Sequence, residues 1–516
     1  MSVSINHHKV ILSTLACISI GYSLCTSAAG INDSHGVFQQ GVTDWQLPSG
    51  YFEDENLPML LTYPRPDSET NGFARHRNQY PDIEYRIPVA VRGGAYPFKY
   101  ELVSAPNGAL IGSTLISNGA KLESHADYGV ISWTPTVDGT YDFTVKVTDQ
   151  NGSTAQVSWK VLVDKSNWVF IDDNSASGGD GSINNPFNSL SDVEGIGNDK
   201  LVILREGTHN VPKNTSTNFT FQSNDPRTYI GYPDENVILN FSSSKFNASF
   251  DDQYFGNLVY DNMATNYANS HYHIVSHASD RVVWFENTFQ NTTSAGTNPI
   301  ENPACLFFSG TYTHRQYNVI RNNLFQNISL DGNSGIVVVY SSDDMVVDNN
   351  IFNNTSTSYG FRWKANGRYS SFRSNSIINS SDGRGVDLRN SSDGGSSSSG
   401  SNVEVIWNKI QMIDSRKKAI ATNWGGGGGG PSFIKRNSIS GALGGLDTGD
   451  IVYFENNVHD APIPSIWDAS SNTLSSSFDS NMNLTGSTAQ SYLGLRGAEI
   501  KADVKQPKPP SLDQPQ

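Results

Sequence analysis

Lys364 and Arg389 are the residues whose types and spacing most directly suggest chemistry in this chain. They occupy equivalent places in two of three segments that align without a gap: GIVVVY from Gly335, GFRWKA from Gly360 and GVDLRN from Gly385, each starting 25 residues after the one before. A repeat of that length around a short apolar strand belongs to a solenoid, in which equivalent residues of successive coils stack on one another. The alignment places Val339, Lys364 and Arg389 in one column. Like charges stacked on a sheet repel, which favours the neutral amine of a lysine, the form that can act as a general base. Such a pair also points to an anionic ligand.

Residues of a strand alternate between its two faces. If Phe361 and Trp363 point inward, Arg362 and Lys364 point outward. By the same rule Val386 and Leu388 are inside, and Asp387 and Arg389 are outside. On the preceding coil, Ile336 and Val338 are expected inside, with Val337 and Val339 outside. A second outward column, Val337, Arg362 and Asp387, balances its charges, whereas the Lys364 column does not. Arg362, Asp387 and the nearby Arg384 are candidate substrate contacts, and Tyr340, Tyr359 and Trp424 are candidate stacking platforms for sugar rings, as is Tyr312. The plainer reading stands beside this one: outward charges on a solenoid are mostly solvated surface, and strand aromatics mostly pack.

The succession FRWKANGRYSSFRSNSIIN and then GVDLRN resembles polysaccharide lyase family 6, the alginate lyases and chondroitinase B. The resemblance implies that Lys364 is the base that removes the C5 proton of a uronate. It implies that Arg389 is the acid or leaving-group stabiliser, in β-elimination on an acidic polysaccharide. That family often holds a calcium ion on acidic residues five and seven positions before the lysine, where this chain has Tyr359 and Thr357, and Asn390 stands where a histidine commonly follows the arginine. Calcium is therefore left unassigned, with Arg362, Arg368 or Arg384 as the charges that would replace it.

Two other classes compete. A glycoside hydrolase needs two carboxylates several ångströms apart, and Asp343 and Asp344 with Asp382 or Asp387 are the candidates. The Gly-His-Gly and Arg-Ile-Lys tripeptides of polygalacturonase-type enzymes do not occur. A non-catalytic carbohydrate-binding or adhesive protein is the third class. His271, His273 and His277 form the one histidine cluster, with no cysteine or glutamate pattern to complete a metal site. The glycine run after Trp424 lacks the Lys-Ser/Thr of a phosphate loop.

The elements that must position these residues are legible as a second repeat. An asparagine followed within two residues by an apolar one recurs at Asn287, Asn323, Asn350, Asn375, Asn408, Asn437 and Asn457, with intervals of 36, 27, 25, 33, 29 and 20 residues. Coils of one solenoid with loops of variable length give such a series, and stacked asparagines can hydrogen-bond in a ladder. Sequons at Asn291, Asn327, Asn354, Asn379 and Asn390 read as turns of that repeat. WVFIDDNSASGGDGSINNPFNSL, KLVILREGTHNV and TYIGYPDENVILNF resemble the opening coil of right-handed parallel β-helix proteins of the pectate-lyase-like kind.

Upstream, 85–164 alternates apolar and polar residues between Pro, Gly and Asn-Gly turns, the pattern of a β-sandwich. GVISWTPT, DGTYDFTVKVTDQNG and VSWKVLV also resemble bacterial immunoglobulin-like and cadherin-like modules. The expected fold class is all-β: a right-handed parallel β-helix over 165–500 preceded by a small Ig-like β-sandwich. Residues 30–84 are expected to be an extended segment packed along one of the domains, and the Pro-rich 501–516 a disordered tail.

Residues 1–29 have the layout of a secretory signal peptide, so the mature chain is expected to be secreted, without a membrane anchor, and monomeric. Cys17 and Cys25 leave with the signal, which leaves Cys305 alone and no disulfide framework. A net charge of −15 argues against nucleic acid as a partner. It leaves room for an acidic polysaccharide bound by a local cationic cluster.

Overall fold

The computed structural model describes residues 57–474, with interruptions of which the longest are 112–128, 266–274, 295–303 and 390–400, and residues 478 and 482. The expected signal segment, the tail 501–516, Tyr312, Trp424, His271, His273 and Asn390 lie outside the described residues, as does the side chain of His277. Three long parallel sheets dominate, of 12, 12 and 9 strands. The chain visits them in rotation, so each strand pairs with its equivalent one coil later. The first sheet runs from Trp168–Ile171 to Asp468–Ser470, the second from Gly207–Asn210 to Thr473–Leu474, and the third from Phe219–Thr220 to Ala442–Gly445. This is a parallel β-helix. Among the described residues the only helical turns are the 3₁₀ segments Arg75–Arg77 and Leu190–Val193.

The asparagine repeat forms a continuous ladder at the corner between the first and second sheets. Each Nδ2 donates to the Oδ1 of the next asparagine: Asn287 to Asn323 at 3.1 Å, Asn323 to Asn350 at 3.0 Å, Asn350 to Asn375 at 2.9 Å, and Asn375 to Asn408 at 3.1 Å. It continues through Asn437 and Asn457 to Asn472, one rung beyond those read from the sequence. The residue before each rung, from Glu286 to Ser471, has a φ between 54° and 59°. That left-handed turn redirects the chain at every coil. The sequon residues Asn291, Asn327, Asn354 and Asn379 likewise sit at positive φ, between 51° and 53°, consistent with the turn role. Inside, Tyr260, Phe289, Phe325 and Phe352 stack face to face at 4.6, 4.7 and 4.8 Å between ring centroids.

The sandwich has a sheet containing Lys99–Ser104, Gly139–Thr148 and Thr154–Val163, packed on a sheet of Tyr85–Pro88, Leu110–Ile111 and Val130–Trp133. It docks on the outer face of the first helical sheet. Phe170, Ile203, Tyr254, Phe285, Val346 and Trp407 share one buried cluster with Tyr85, Ile87, Tyr96 and Phe98. Arg321 and Arg373 point out of the helix into this interface, where they donate to the carbonyls of Val89 and Val91. Arg86 grips Glu286 through two hydrogen bonds of 2.7 and 2.6 Å, and Arg92 pairs with Asp344. The described part of the expected extended segment packs in the same place: Leu60–Tyr63 pairs with Ala90–Arg92, and Asn78–Gln79 pairs with the end of Thr154–Val163. One face of the helix is thereby closed, and the third sheet lies elsewhere.

Candidate active site on the third sheet

The strands Gly335–Tyr340, Tyr359–Lys364, Arg384–Arg389 and Lys418–Asn423 lie side by side in the third sheet. Their register corrects one column. Gly335 pairs with Tyr359 and not with Gly360, so Val339 stacks on Trp363, and Tyr340 stacks on Lys364. Gly360 and Gly385 do stand in register: a Cβ on Gly360 would lie 2.7 Å from the Gly385 carbonyl oxygen. Slipping one residue exchanges the faces of a strand. Val337 and Val339, expected outside, belong to the helix core, while Val338 sits in a separate outer cluster with Phe307 and Tyr340. Ile336 is in the core as expected.

The outward column is therefore Tyr340, Lys364, Arg389 and Asn423. Lys364 and Arg389 remain adjacent, as the spacing implied. The Lys364 ammonium lies 4.9 Å from the centre of the Tyr340 ring, an electrostatically attractive placement. Its side chain is largely enclosed, at 4% exposure.

Beside this column runs Val338, Arg362, Asp387 and Ala421. Arg362 and Asp387, expected to touch substrate, lie beneath the surface at 1% and 0% exposure. Asp387 is the hub of three guanidinium groups. Arg384 Nη1 donates to its Oδ1 at 2.6 Å, while Arg362 Nε and Arg389 Nε stand 3.3 and 3.7 Å from its Oδ2. Burial pulls the Arg362 pKa down, and the Asp387 charge opposes that shift. Tyr359 carries the Arg362 guanidinium at 4.1 Å and the Arg384 guanidinium at 5.5 Å from its ring centre. The outer parts of Arg384 and Arg389 reach solvent, with side-chain exposures of 20% and 25%.

The residues present do not fit the calcium ion that the lyase resemblance raises. At the two expected ligand positions, Thr357 Oγ1 is bonded to Asp382 and to the Tyr359 carbonyl, and the Tyr359 ring faces two cations. Of the arginines suggested as replacements, Arg368 belongs to the strand Arg368–Arg373 of the first sheet, Arg362 is buried, and Arg384 is the one on the third sheet whose guanidinium reaches solvent.

The carboxylates proposed for hydrolysis are occupied elsewhere. Asp343 binds Arg368, and Asp344 binds Arg92 of the sandwich. Asp382 accepts from Thr355, Thr357 and Ser380, with burial raising its pKa. Lys418 went unnoticed in the sequence. It stacks on Arg384 in the column that begins at Tyr359, and its pKa is lowered by burial and by the Arg384 charge. The apolar alternation of KAIATN was the available signal, hidden by the long insertion 390–400.

Residues 78–163 match the family described as Putative Ig domain. Comparison of the sequence with curated proteins found no match. Solved structures similar to the chain include a putative alpha-galactosidase from Bacteroides fragilis, 10% identical, with 39% of this chain and 47% of that one covered at a TM-score of 0.17. The family 28 exopolygalacturonase of Yersinia enterocolitica is 11% identical over 67% of this chain and 85% of that one, at a TM-score of 0.32. The catalytic unit of an alpha-1,3-glucanase from Streptomyces thermodiastaticus is 12% identical over 82% and 96%, at 0.25. The chain spans less than half the length of the first of these. The resemblance to carbohydrate-active enzymes is distant and places no residue of the site.

Proposed function

We propose that this chain is an exported enzyme that binds an acidic polysaccharide across the third sheet and cleaves it by β-elimination. The observation that carries the reading is the column in which Lys364 and Arg389 are register neighbours, on a face where, among the described residues, Arg362, Lys364, Arg384, Arg389 and Lys418 outnumber one carboxylate, Asp387. In a chain of net charge −15 this is a local reversal of sign, and such a patch concentrates polyanions.

The chemistry follows from those positions. Arg389, pinned from below by Asp387, offers its outer N–H groups to a uronate carboxylate and so withdraws charge from the neighbouring carbon. The Lys364 amine takes the C5 proton. The C–H electron pair becomes the C4–C5 double bond as the C4–O bond breaks, and the departing oxygen, stabilised by Arg389, takes a proton from water to become the hydroxyl of the leaving sugar. Paired-carboxylate hydrolysis would need two acids flanking one bond, and Asp387, the one carboxylate described on this face, is held by three guanidinium groups.

The test is to incubate the protein with alginate, polygalacturonate and chondroitin, following the ultraviolet absorbance of an unsaturated uronate together with reducing ends. Both are expected to rise, and Lys364→Ala is expected to abolish both. Reducing ends without absorbance would establish a hydrolase, and binding without either an adhesive protein. Full activity in Lys364→Ala would remove the proposed site.

A further inference from the structure

Lys418 has no role in the elimination as drawn, yet it is built into the same face. Two columns flank the buried Arg362–Asp387 pair, one at the ends of these strands and one at their starts, and each reads aromatic, cation, cation on successive coils. One is Tyr340, Lys364, Arg389, and the other, displaced by one coil, is Tyr359, Arg384, Lys418. Adjacent coils are about 4.8 Å apart, so Lys418 lies roughly 10 Å along the axis from the coil of Lys364. The second column therefore stands apart from the reacting carbon.

Three observations single out Lys418. Its side chain lies across Gly444, where an added Cβ would be 2.6 Å from both Cδ and Nζ, so the glycine provides its seat. No ion pair joins it to a carboxylate among the described residues, whereas Arg384 beside it is fixed on Asp387 at 2.6 Å. Burial, and after it the positive charge of Arg384, disfavours the charged amine there, with Asp387 opposing both, an arrangement that an incoming anion relieves. Ala421, in register with Asp387 one coil earlier and with Gly444 one coil later, is small and puts no bulk between the Asp387 hub and the Lys418 amine.

We infer that Arg384 and Lys418 form a second anion-binding position, which takes the carboxylate of a sugar unit other than the one being cleaved. The inference rests on the acidic-polysaccharide reading of the site, but not on the identity of the base. Arg384 supplies a planar fork and Lys418 a point charge, the pair that grips a carboxylate from two sides. A polymer held there is positioned across both columns, and a short oligomer that fills only the first gains nothing from the second.

The experiment measures binding of uronate oligomers, from dimer to octamer, and of the same oligomers with their carboxyl groups reduced, to protein carrying Lys364→Ala. Lys418→Ala in that background is expected to weaken binding of the longer oligomers about tenfold or more, the cost of one charged hydrogen bond. Dimer binding should stay unchanged, and Lys418→Arg should restore the affinity. Carboxyl-reduced oligomers should not distinguish the variants. Affinity of Lys418→Ala for long oligomers within twofold of its parent, at an unchanged melting temperature, would overturn the inference. A melting temperature lowered by Lys418→Ala is met by Lys418→Gln, which keeps the stem and must show the same loss. Persisting cleavage in Lys364→Ala would remove the base assignment while leaving the binding difference readable, and failure of every acidic oligomer to bind would overturn both readings.

Discussion

Arg362 and Asp387 form an ion pair, Nε to Oδ2 at 3.3 Å, with both side chains closed off from solvent. The carboxylate at its centre is shared with Arg384 and Arg389, so it neutralises one of three positive charges and fixes where the others point. Removing one member of a buried pair leaves its partners charged and uncompensated, at a cost of about 3–5 kcal/mol. Asp387→Asn, which keeps the shape and removes the charge, is expected to lower the unfolding free energy in urea by that order. A midpoint unchanged from the parent would mean that the arginines need no hub.

The ladder makes a separate demand. Asn350 accepts from the backbone N–H and Nδ2 of Asn323, both buried, and donates to Asn375 Oδ1 and to the Ile320 carbonyl. Asn350→Ala leaves the buried Asn323 N–H without its acceptor and takes one donor from the Ile320 carbonyl, while Asn323 Nδ2 keeps the Trp284 and Arg321 carbonyls and Asn375 Oδ1 keeps the backbone N–H of residue 350; each unmatched buried group costs about 1–3 kcal/mol. A loss of roughly 2 kcal/mol is expected, against less than half that for the same change at the exposed Asn354, whose Nδ2 donates to Asn327 at the surface. Equal losses at the two positions would show that the corner ladder has no special place in the stability of the coils.

The ladder was legible in the sequence because every coil uses the same chemistry: the asparagine must recur, and the loops between rungs absorb any difference in length. The Lys364 and Arg389 pairing was legible for a related reason, since two true neighbours happen to be 25 residues apart with their glycines in contact. The preceding coil was misread because Gly335 looks like Gly360 but pairs with Tyr359. A one-residue slip is invisible in a run as uniformly apolar as GIVVVY. Burial of Arg362 and Asp387 was not legible either, because alternation assigns a face and says nothing about what neighbouring side chains cover. WVFI and LVIL, apolar on both faces, did signal that something packs outside the first sheet, although the sandwich as its occupant required the structure.

That docking has a consequence of its own. Phe170, Ile203, Tyr254, Phe285, Val346 and Trp407 are buried by the sandwich and its preceding segment, and without that cover they form one apolar strip along the helix. Contiguous exposed surface of this kind drives association. Deleting residues 57–164 is expected to yield a helical domain that is insoluble or binds a hydrophobic dye strongly, as measured by sedimentation and dye fluorescence. A soluble, monomeric, dye-negative helix would show that the sandwich is a dispensable spacer.

The segment at the base of that interface should make the fold sensitive to acid. His76 is buried at 1% exposure, its Nε2 3.0 Å from the Arg65 carbonyl, in a cavity lined also by Tyr63, Arg75, Asp252, Gln253, Tyr254 and Arg281. Burial lowers its pKa to about 3, with Arg77, Arg75 and Arg281 adding to the shift and the bond to Arg65 opposing it. The folded form therefore binds a proton less readily than the unfolded chain, whose histidine titrates near 6.5. The contribution of neutral His76 is complete above about pH 6.5 and is lost as the pH falls toward 3. His76→Gln keeps a polar group of similar reach but cannot titrate. Its unfolding free energy should fall less steeply than that of the parent between pH 6.5 and 4, measured by urea denaturation at each pH, and parallel curves would mean that His76 gains its proton without loss of the fold.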